Sequence, residues 1–526
     1  MSTEVSVRRA DLMMVLAYAT DLATGQSRDF ALRSCIVAMR VAGAMDLGTE
    51  LCRQVYHHAI LRYIGCNADT HLLASAFGDE IALRQDLAIT DLGNHAALGQ
   101  TFVNAFNRHF SDLPPDRLKS AIQQGLADAI GISVPILAGH CEVAQRIGQR
   151  LGLTEDMRGN LGQLYERWDG KGLPNGLSGQ NVRLPVRIVT LAQDAVALNE
   201  AQGPDRMVEE IRSRRDGPYE AALADLFLAD ASGFMRGTAG AATREAILAL
   251  EPEPHAYLDA AACEEAFTAI ADMIDMRMPF TFGHSRAVAR LGDAAGHCMG
   301  LPDDDIRAIR WAAYVHDIGE LSVPVSTWLK ATPLSPRETD SAQLHPYHGE
   351  RALACLGADG RAIAGLVLRH HERLDGTGYH RYAKAPDLSP AARILAAAET
   401  YCTAIEDRPH RPGVTAEAAA EKLRSLVRSG KLCAEGTEAV LTAAGQVSRR
   451  AAKPGIDGLT PREIEVLRQI ASGLTAKEAA AILGIAPKTA ENHIQNLYAK
   501  IGVSTRAGAA LYALERGLVA EEIAAA

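Results

Sequence analysis

Tyr314-Val315-His316-Asp317-Ile318-Gly319-Glu320 is the stretch from which the fold is read. Upstream of it Ile306, Ile309 and Ala313 recur at three- and four-residue spacing, the period of a helix with one buried face. Ile464, Leu467, Ile470 and Ala471 repeat that period far downstream, aromatics are only 5% of the chain, and alternating β-branched runs are scarce. Even Leu184 to Val189, the best of those, reads as helical beside its neighbours. The chain is therefore expected to be all-α. Ala313 to Gly319 also has an echo, Ala59-Ile60-Leu61-Arg62-Tyr63-Ile64-Gly65, 254 positions earlier (319 against 65). Gly25-Gln26-Ser27-Arg28 echoes Gly283-His284-Ser285-Arg286, and Tyr165 to Gly172 echoes His371 to Gly378. Echoes in the same order indicate an internal duplication. Pro/Gly-containing breaks at Glu251-Pro252-Glu253-Pro254 and from Gly445 to Gly458 then divide the chain into 1–250, 255–445, a linker at 446–456, and a tail at 457–526.

Eight of the seventeen histidines fall between His284 and His380. His284 opens one helix, His316 and Asp317 lie on another, His345 precedes a proline, and His370 and His371 are adjacent. Imidazoles and a carboxylate on separate helices are what a bundle needs to hold a metal in its interior, and such N/O sets suit divalent iron or manganese. Asp317 can bridge two ions. The remaining histidines of the region, such as His297 and His348, read as packing or surface residues, as does His410. Asp375 and Gly376 read as turn formers.

The motifs FTFGHSRAVARL (280–291), YVHDIGE (314–320), HPYHGERAL (345–353), HHERLDGTGYH (370–380) and ARILAAAETYCTAIEDRPHRP (392–412) together resemble the HD-GYP group of HD metal-dependent phosphohydrolases. The resemblance implies a helical domain, two or three divalent ions, and hydrolysis of cyclic di-GMP by metal-activated water. It makes His316 and Asp317 the catalytic pair. The metal ligands it implies are His284, His316, Asp317, His345, His370, His371 and Glu399. Four positions depart from the family pattern. Glu320 stands where a lysine meets substrate phosphate, and Glu399 and Cys402 stand in place of aspartates. His380 replaces the proline of Gly-Tyr-Pro. A carboxylate in place of an ammonium repels a phosphodiester, so metal binding tolerates these changes better than catalysis does. In the first copy the corresponding positions read Gln26, Arg62, Tyr63, Leu164, Tyr165 and Gln193, with His140 near the place of His345. That copy keeps the turns and loses nearly every ligand, leaving packing, dimerisation or sensing as its uses.

In the tail, Thr460, Pro461 and Glu463 form a helix start with a capping box, Thr475 caps a short helix, Gly484 makes a turn, and Ala486-Pro487-Lys488-Thr489 opens the next helix. Two helices joined through a glycine turn are a helix-turn-helix. Residues 459–519 resemble the LuxR (GerE) type of DNA-binding domain. The resemblance implies four helices, with Lys488 to Lys500 reading double-stranded DNA and Arg506 to Arg516 serving a homodimer. Glu491, Asn492 and Gln495 would face base edges, and Lys488, Thr489, His493, Lys500 and Arg506 phosphates. From Lys453 to Arg506 seven basic residues face five acidic ones, so affinity rests on a defined site and on pairing.

A net charge of −10 excludes a protein that coats nucleic acid over its whole surface. Nine scattered cysteines, with no Cys-x-x-Cys, give neither a disulfide framework nor a zinc knuckle. No apolar run is long enough to span a membrane, and Met1 to Arg9 lacks the apolar core of a secretion signal. The expectation is a cytoplasmic transcription regulator whose middle block senses or hydrolyses a phosphoester messenger such as a cyclic dinucleotide. The alternative is a metal-dependent cyclic di-GMP phosphodiesterase, or another HD phosphohydrolase, with a DNA-binding tail.

Overall fold

The computed structural model describes residues 5–68, 70–111, 113–358, 360–446 and 459–518. The proposed linker at 446–456 therefore lies almost wholly outside the described residues. The chain is helical, as expected, with one small exception. Val7–Arg8 pairs antiparallel with Tyr257–Leu258, and Arg8 adds an ion pair to Glu251 at 2.6 Å. Two-residue strands are too short to show alternation in a sequence. Two compact units result, Val5–Ala262 and a second from Cys263 onward.

Close helix packing in the second unit follows from two glycines. The helix Asp303–Val315 begins with Asp303, Asp304 and Asp305, which favour the positive helix N-terminus, and buries Ile306 and Ile309. These face Gly292 and Gly296 on the helix His284–Cys298. A Cβ at Gly292 would lie 2.8 Å from Ile309, and one at Gly296 3.0 Å from Ile306. Glycines four apart line one face of a helix and let the two axes approach.

The duplication is visible in the geometry. Phe30–Ala44 and Thr49–Leu61 match His284–Cys298 and Asp303–Val315 at a shift of 254. In both units a buried aspartate accepts the backbone N–H ten residues on, Asp21 from Ala31 and Asp275 from Ser285. A Cβ on Gly65 would strike the His140 carbonyl oxygen at 1.9 Å, and one on Gly319 the His345 carbonyl oxygen at 1.9 Å. Glu166 accepts from the backbone of Asn175 and Leu177, as Glu372 does from Arg381 and Ala383.

This geometry corrects one sequence correspondence. Gln26 does not take the place of His284, because Gly25 is the left-handed cap (φ 65°) that ends the helix Arg9–Thr24. The left-handed residue that opens the next helix, as Gly283 does (φ 79°), is Asp29 (φ 62°), so Phe30 occupies the ligand position. Aspartate tolerates this conformation better than most residues, which hides the turn from a search for glycine.

In the tail, capping boxes at Thr460/Glu463 and Thr475/Glu478 start the helices Pro461–Ala471 and Ala476–Ile482, each cap stabilising its helix by about 1 kcal/mol. Gly484 turns at φ 64° into the helix Pro487–Ile501, and Arg506–Glu515 follows. Among the described residues no helix is long and apolar enough to cross a membrane.

Candidate metal centre

The helix ends of the second unit deliver donors to one point. His284 is the first residue of its helix, and His316 and Asp317 lie where Asp303–Val315 gives way to a 3-10 turn at Ile318–Ser322. His345 opens His345–Leu353, His370 and His371 follow Arg361–Val367, and Glu399 projects from the middle of Pro390–Ile405. Gly319 lets the His345 turn close against the His316-Asp317 turn.

Asp317 stands between two groups of donors. Its Oδ2 lies 3.7 Å from His284 Nε2 and 3.2 Å from His316 Nε2. Its Oδ1 lies 3.5 Å from both His345 Nε2 and His370 Nε2. Glu399 Oε2 joins the first group, 2.9 Å from His284 Nε2 and 3.2 Å from His316 Nε2. His371 completes the second, in which the donor atoms of Asp317, His345, His370 and His371 lie within 4.8 Å of one another.

Second-sphere hydrogen bonds set the tautomers. His316, His345 and His370 donate from Nδ1 to the carbonyl oxygens of Ala313, Ala342 and Val367, at 2.8, 2.7 and 2.6 Å. A carbonyl only accepts, so Nδ1 carries the proton and Nε2 turns a lone pair inward. His284 donates from Nδ1 to Glu406, at 2.8 Å. Inward Nε2 atoms then approach in pairs, His284 with His316 at 3.2 Å and His345 with His370 at 3.0 Å. Facing lone pairs repel unless a cation lies between them. Ligands about 2.1 Å from an ion at right angles stand about 3 Å apart, which is the separation found. The buried Asp317 Oδ1 also has no hydrogen-bond partner. The residues present fit a divalent metal centre built around Asp317.

Electrostatics agree with that fit. Burial opposes charge on His316, yet Asp317 and Glu399 outweigh it and push its pKa up to about 10. His284 is raised well above the usual range in the same manner, burial being overcome by Glu406 and Glu399. The first group thus demands positive charge, from protons or from an ion that displaces them. Burial and His370 lower His345 to about 3 and hold His371 well below its ordinary value, so both stay neutral, as ligands must.

Two residues escaped the sequence reading. Glu406, 4% exposed, orients His284 and is itself paired with Arg408 at 2.7 Å. It lies one helical turn beyond Cys402, where the family pattern has a carboxylate, so the charge has moved along the helix rather than vanished. The other is Arg373, whose Nη1 is buried without a partner and whose pKa is lowered by burial against the opposing pull of Tyr379 and Glu399. Burial and Asp317 raise Glu320 well above the carboxylate range, with Arg408 opposing. Glu406→Ala is expected to weaken metal affinity about 10- to 100-fold, the usual effect of losing a second-sphere partner, measured by metal titration of the purified protein.

On the tail helix Pro487–Ile501, Lys488, Thr489, Glu491, Asn492 and Gln495 are exposed, and His493 is half-buried. Ala490, Leu497 and Ile501 are buried on the opposite side. Lys488 lies 3.1 Å from Glu491. Lys500 pairs with the capping residue Glu463 at 2.7 Å, and Arg506 donates to the Gly473 carbonyl oxygen at 3.0 Å. Ala507 to Leu514 are buried in succession.

Comparison with known proteins agrees with this architecture. Residues 268–432 match the HD domain family and residues 457–513 the family of bacterial regulatory proteins, luxR family. The chain is thus an HD-domain protein with a C-terminal LuxR-type helix-turn-helix. It is 24% identical over 417 residues to the 3'3'-cGAMP-specific phosphodiesterase 3 of Vibrio cholerae, covering 76% of this chain and 87% of that protein. Against the cyclic di-GMP phosphodiesterase response regulator RpfG of Xanthomonas campestris it is 29% identical over 203 residues, 36% of this chain and 53% of the other. The tail is 48% identical over 67 residues to the transcriptional regulatory protein MctR of Rhizobium johnstonii, 13% of this chain and 31% of that one. A crystal structure of a cyclic GMP-AMP-specific phosphodiesterase from V. cholerae shares the fold, with TM-score 0.58 and 21% identity over 84% of this chain and 99% of that one.

Proposed function

We propose that this chain is a DNA-binding transcription regulator whose second unit hydrolyses a cyclic dinucleotide at a centre of two divalent metal ions. The observation that carries the reading is Asp317, with one oxygen toward His345 and His370 and the other toward His284 and His316. The phosphodiesterase names of its relatives support it. Iron or manganese suits the N/O donor set, and such ions acidify water and neutralise charge on phosphoryl oxygens. The chain's own residues do the rest. Carbonyl partners fix the imidazoles, Glu406 aims His284, and Arg373 offers a guanidinium to a non-reacting phosphate oxygen.

A second reading, binding without turnover, is favoured by Glu320, a carboxylate where the related pattern has a lysine. Incubating manganese- or iron-loaded protein with 3'3'-cGAMP and cyclic di-GMP separates the two. Linear product that disappears in His316→Ala/Asp317→Ala supports hydrolysis, and saturable binding without product supports sensing.

For the tail, we propose that Glu491, Asn492 and Gln495 read base edges while Lys488, Thr489, His493 and Arg506 lie along phosphates, in a homodimer on paired half-sites. Asn492→Ala and Gln495→Ala are each expected to cost about 1–3 kcal/mol at the selected site and to relax its sequence preference. Lys488→Ala should weaken all duplexes alike and reduce the salt slope by about one. Gel-shift titrations at several salt concentrations check both. Lys500, held by Glu463, would contribute more to the domain's stability than to DNA contact.

A further inference from the structure

The first unit keeps a histidine at only one of the ligand positions, His140, and contains a cavity of about 290 Å³ in the same place. Arg62, Tyr63, His140 and Tyr165 line it, and they correspond to His316, Asp317, His345 and His371. A guanidinium therefore stands where an imidazole would hold a cation, so the spot keeps its attraction for an anion. Arg62 is 9% exposed, and its Nη1 donates to Thr190 Oγ1 at 2.6 Å while its buried Nε has no hydrogen-bond partner. Five cationic side chains and three carboxylates line the cavity. Arg84, held by the Ala23 and Cys66 carbonyl oxygens, Arg167, held by Asp91 and Asp169, and Arg214, held by Glu210, are engaged, as are the carboxylates. Asp91 accepts from Arg167, Glu166 from two backbone N–H groups, and Asp194, which interacts electrostatically with Arg62, from the Tyr219 hydroxyl at 2.7 Å.

A second feature is a roof. Gly65 and His140 are 75 positions apart, whereas their counterparts Gly319 and His345 are 26 apart. The additional chain forms the helices Thr70–Phe77, Glu80–Ile89 and His95–His109 and the start of Pro115–Arg150. Phe77, Leu83, Leu98 and Phe102 from this insertion line the cavity, together with Arg84 and Asp91. The Phe77 ring lies tilted, 5.2 Å from that of Phe102 and 4.7 Å from that of Phe106. A unit kept only for packing would be expected to cover this apolar surface, which here faces an open pocket instead. At roughly 30 Å³ per water-sized group, it accommodates about ten methylene-sized groups.

We propose that the first unit binds an amphipathic oxyanion: an aliphatic body of about ten carbons under the Phe77–Phe102 roof, with a carboxylate or phosphate head on Arg62. Leu83, Leu87 and Leu98 beside Phe77 and Phe102 suit an aliphatic body better than the polar edge of a nucleobase. The proposal is independent of the metal centre and of DNA binding.

Isothermal titration of the full chain with decanoate, decyl phosphate, decanol and AMP tests it. One decanoate or decyl phosphate should bind per chain, with decanol at least tenfold weaker and AMP not binding; the preference between the two anions identifies the head group. Arg62→Met, similar in volume, should weaken the anion at least tenfold and leave decanol unchanged, and Leu83→Trp should abolish binding of both. If Leu83→Trp melts without cooperativity, Arg62→Met alone decides. No saturable binding of either chain-bearing anion, binding of AMP alone, or an anion affinity indifferent to Arg62→Met would overturn the proposal.

Discussion

Replacing Asp317 with alanine is expected to empty the metal centre and remove turnover together. Both donor groups lose their shared carboxylate, so ions drop from two per chain to below one by plasma mass spectrometry. Two bound cations supply several kcal/mol to a phosphoryl transition state. Losing about 4 kcal/mol slows cleavage of a cyclic dinucleotide on the order of a thousandfold. His371→Ala, which removes one donor from the second group only, should reduce occupancy less and leave the fold unchanged. If Asp317→Ala kept two ions, the bridging arrangement would be wrong even if activity fell.

The second large effect is on folding. Gly319→Ala places a methyl group 1.9 Å from the His345 carbonyl oxygen, and that neighbour is backbone, which cannot swing aside. Relieving the clash means separating the His316-Asp317 turn from the His345 turn. We expect about 3–5 kcal/mol of lost stability, at the upper end for single substitutions, seen as a lower midpoint in urea unfolding. Metal affinity should fall with it, because the same separation pulls His345 from Asp317. Gly65→Ala should destabilise the first unit comparably, without touching the metal centre. Gly300→Ala is a useful contrast: its Cβ meets nothing within 4 Å, so only the strain of φ 66° is felt.

Much of this was legible in the sequence because it depends on local chemistry. Thr460 with Glu463 announces a helix start, since a capping box needs only residues three apart, and Thr475 announces another as a cap. His316 beside Asp317, among crowded histidines, announced a cluster, because nothing else asks for so many imidazoles in one segment. The duplication was readable from glycines whose missing side chains are required by backbone contact, as at Gly65 and Gly319.

What was not legible depends on tertiary approach. Glu406 carries no pattern of its own; it orients His284 only because a turn 122 residues earlier in the chain arrives beside it. The four-residue displacement of Gln26 arose because Asp29, not a glycine, takes the left-handed position that opens the helix. The roof over the first unit's cavity is an insertion, and a comparison of echoes passes over residues that have no echo. Lys500 illustrates the same limit in the tail: its charge suggests phosphate, and its neighbour Glu463 becomes apparent only when the helices pack.

Anomalous diffraction from crystals of the full chain grown with manganese tests the central claim most directly. The account expects two peaks flanking Asp317, about 3.5–4 Å apart, one against His284, His316 and Glu399 and the other against His345, His370 and His371. A single peak away from Asp317, or density with no peak and the imidazoles hydrogen-bonded to one another, would contradict it.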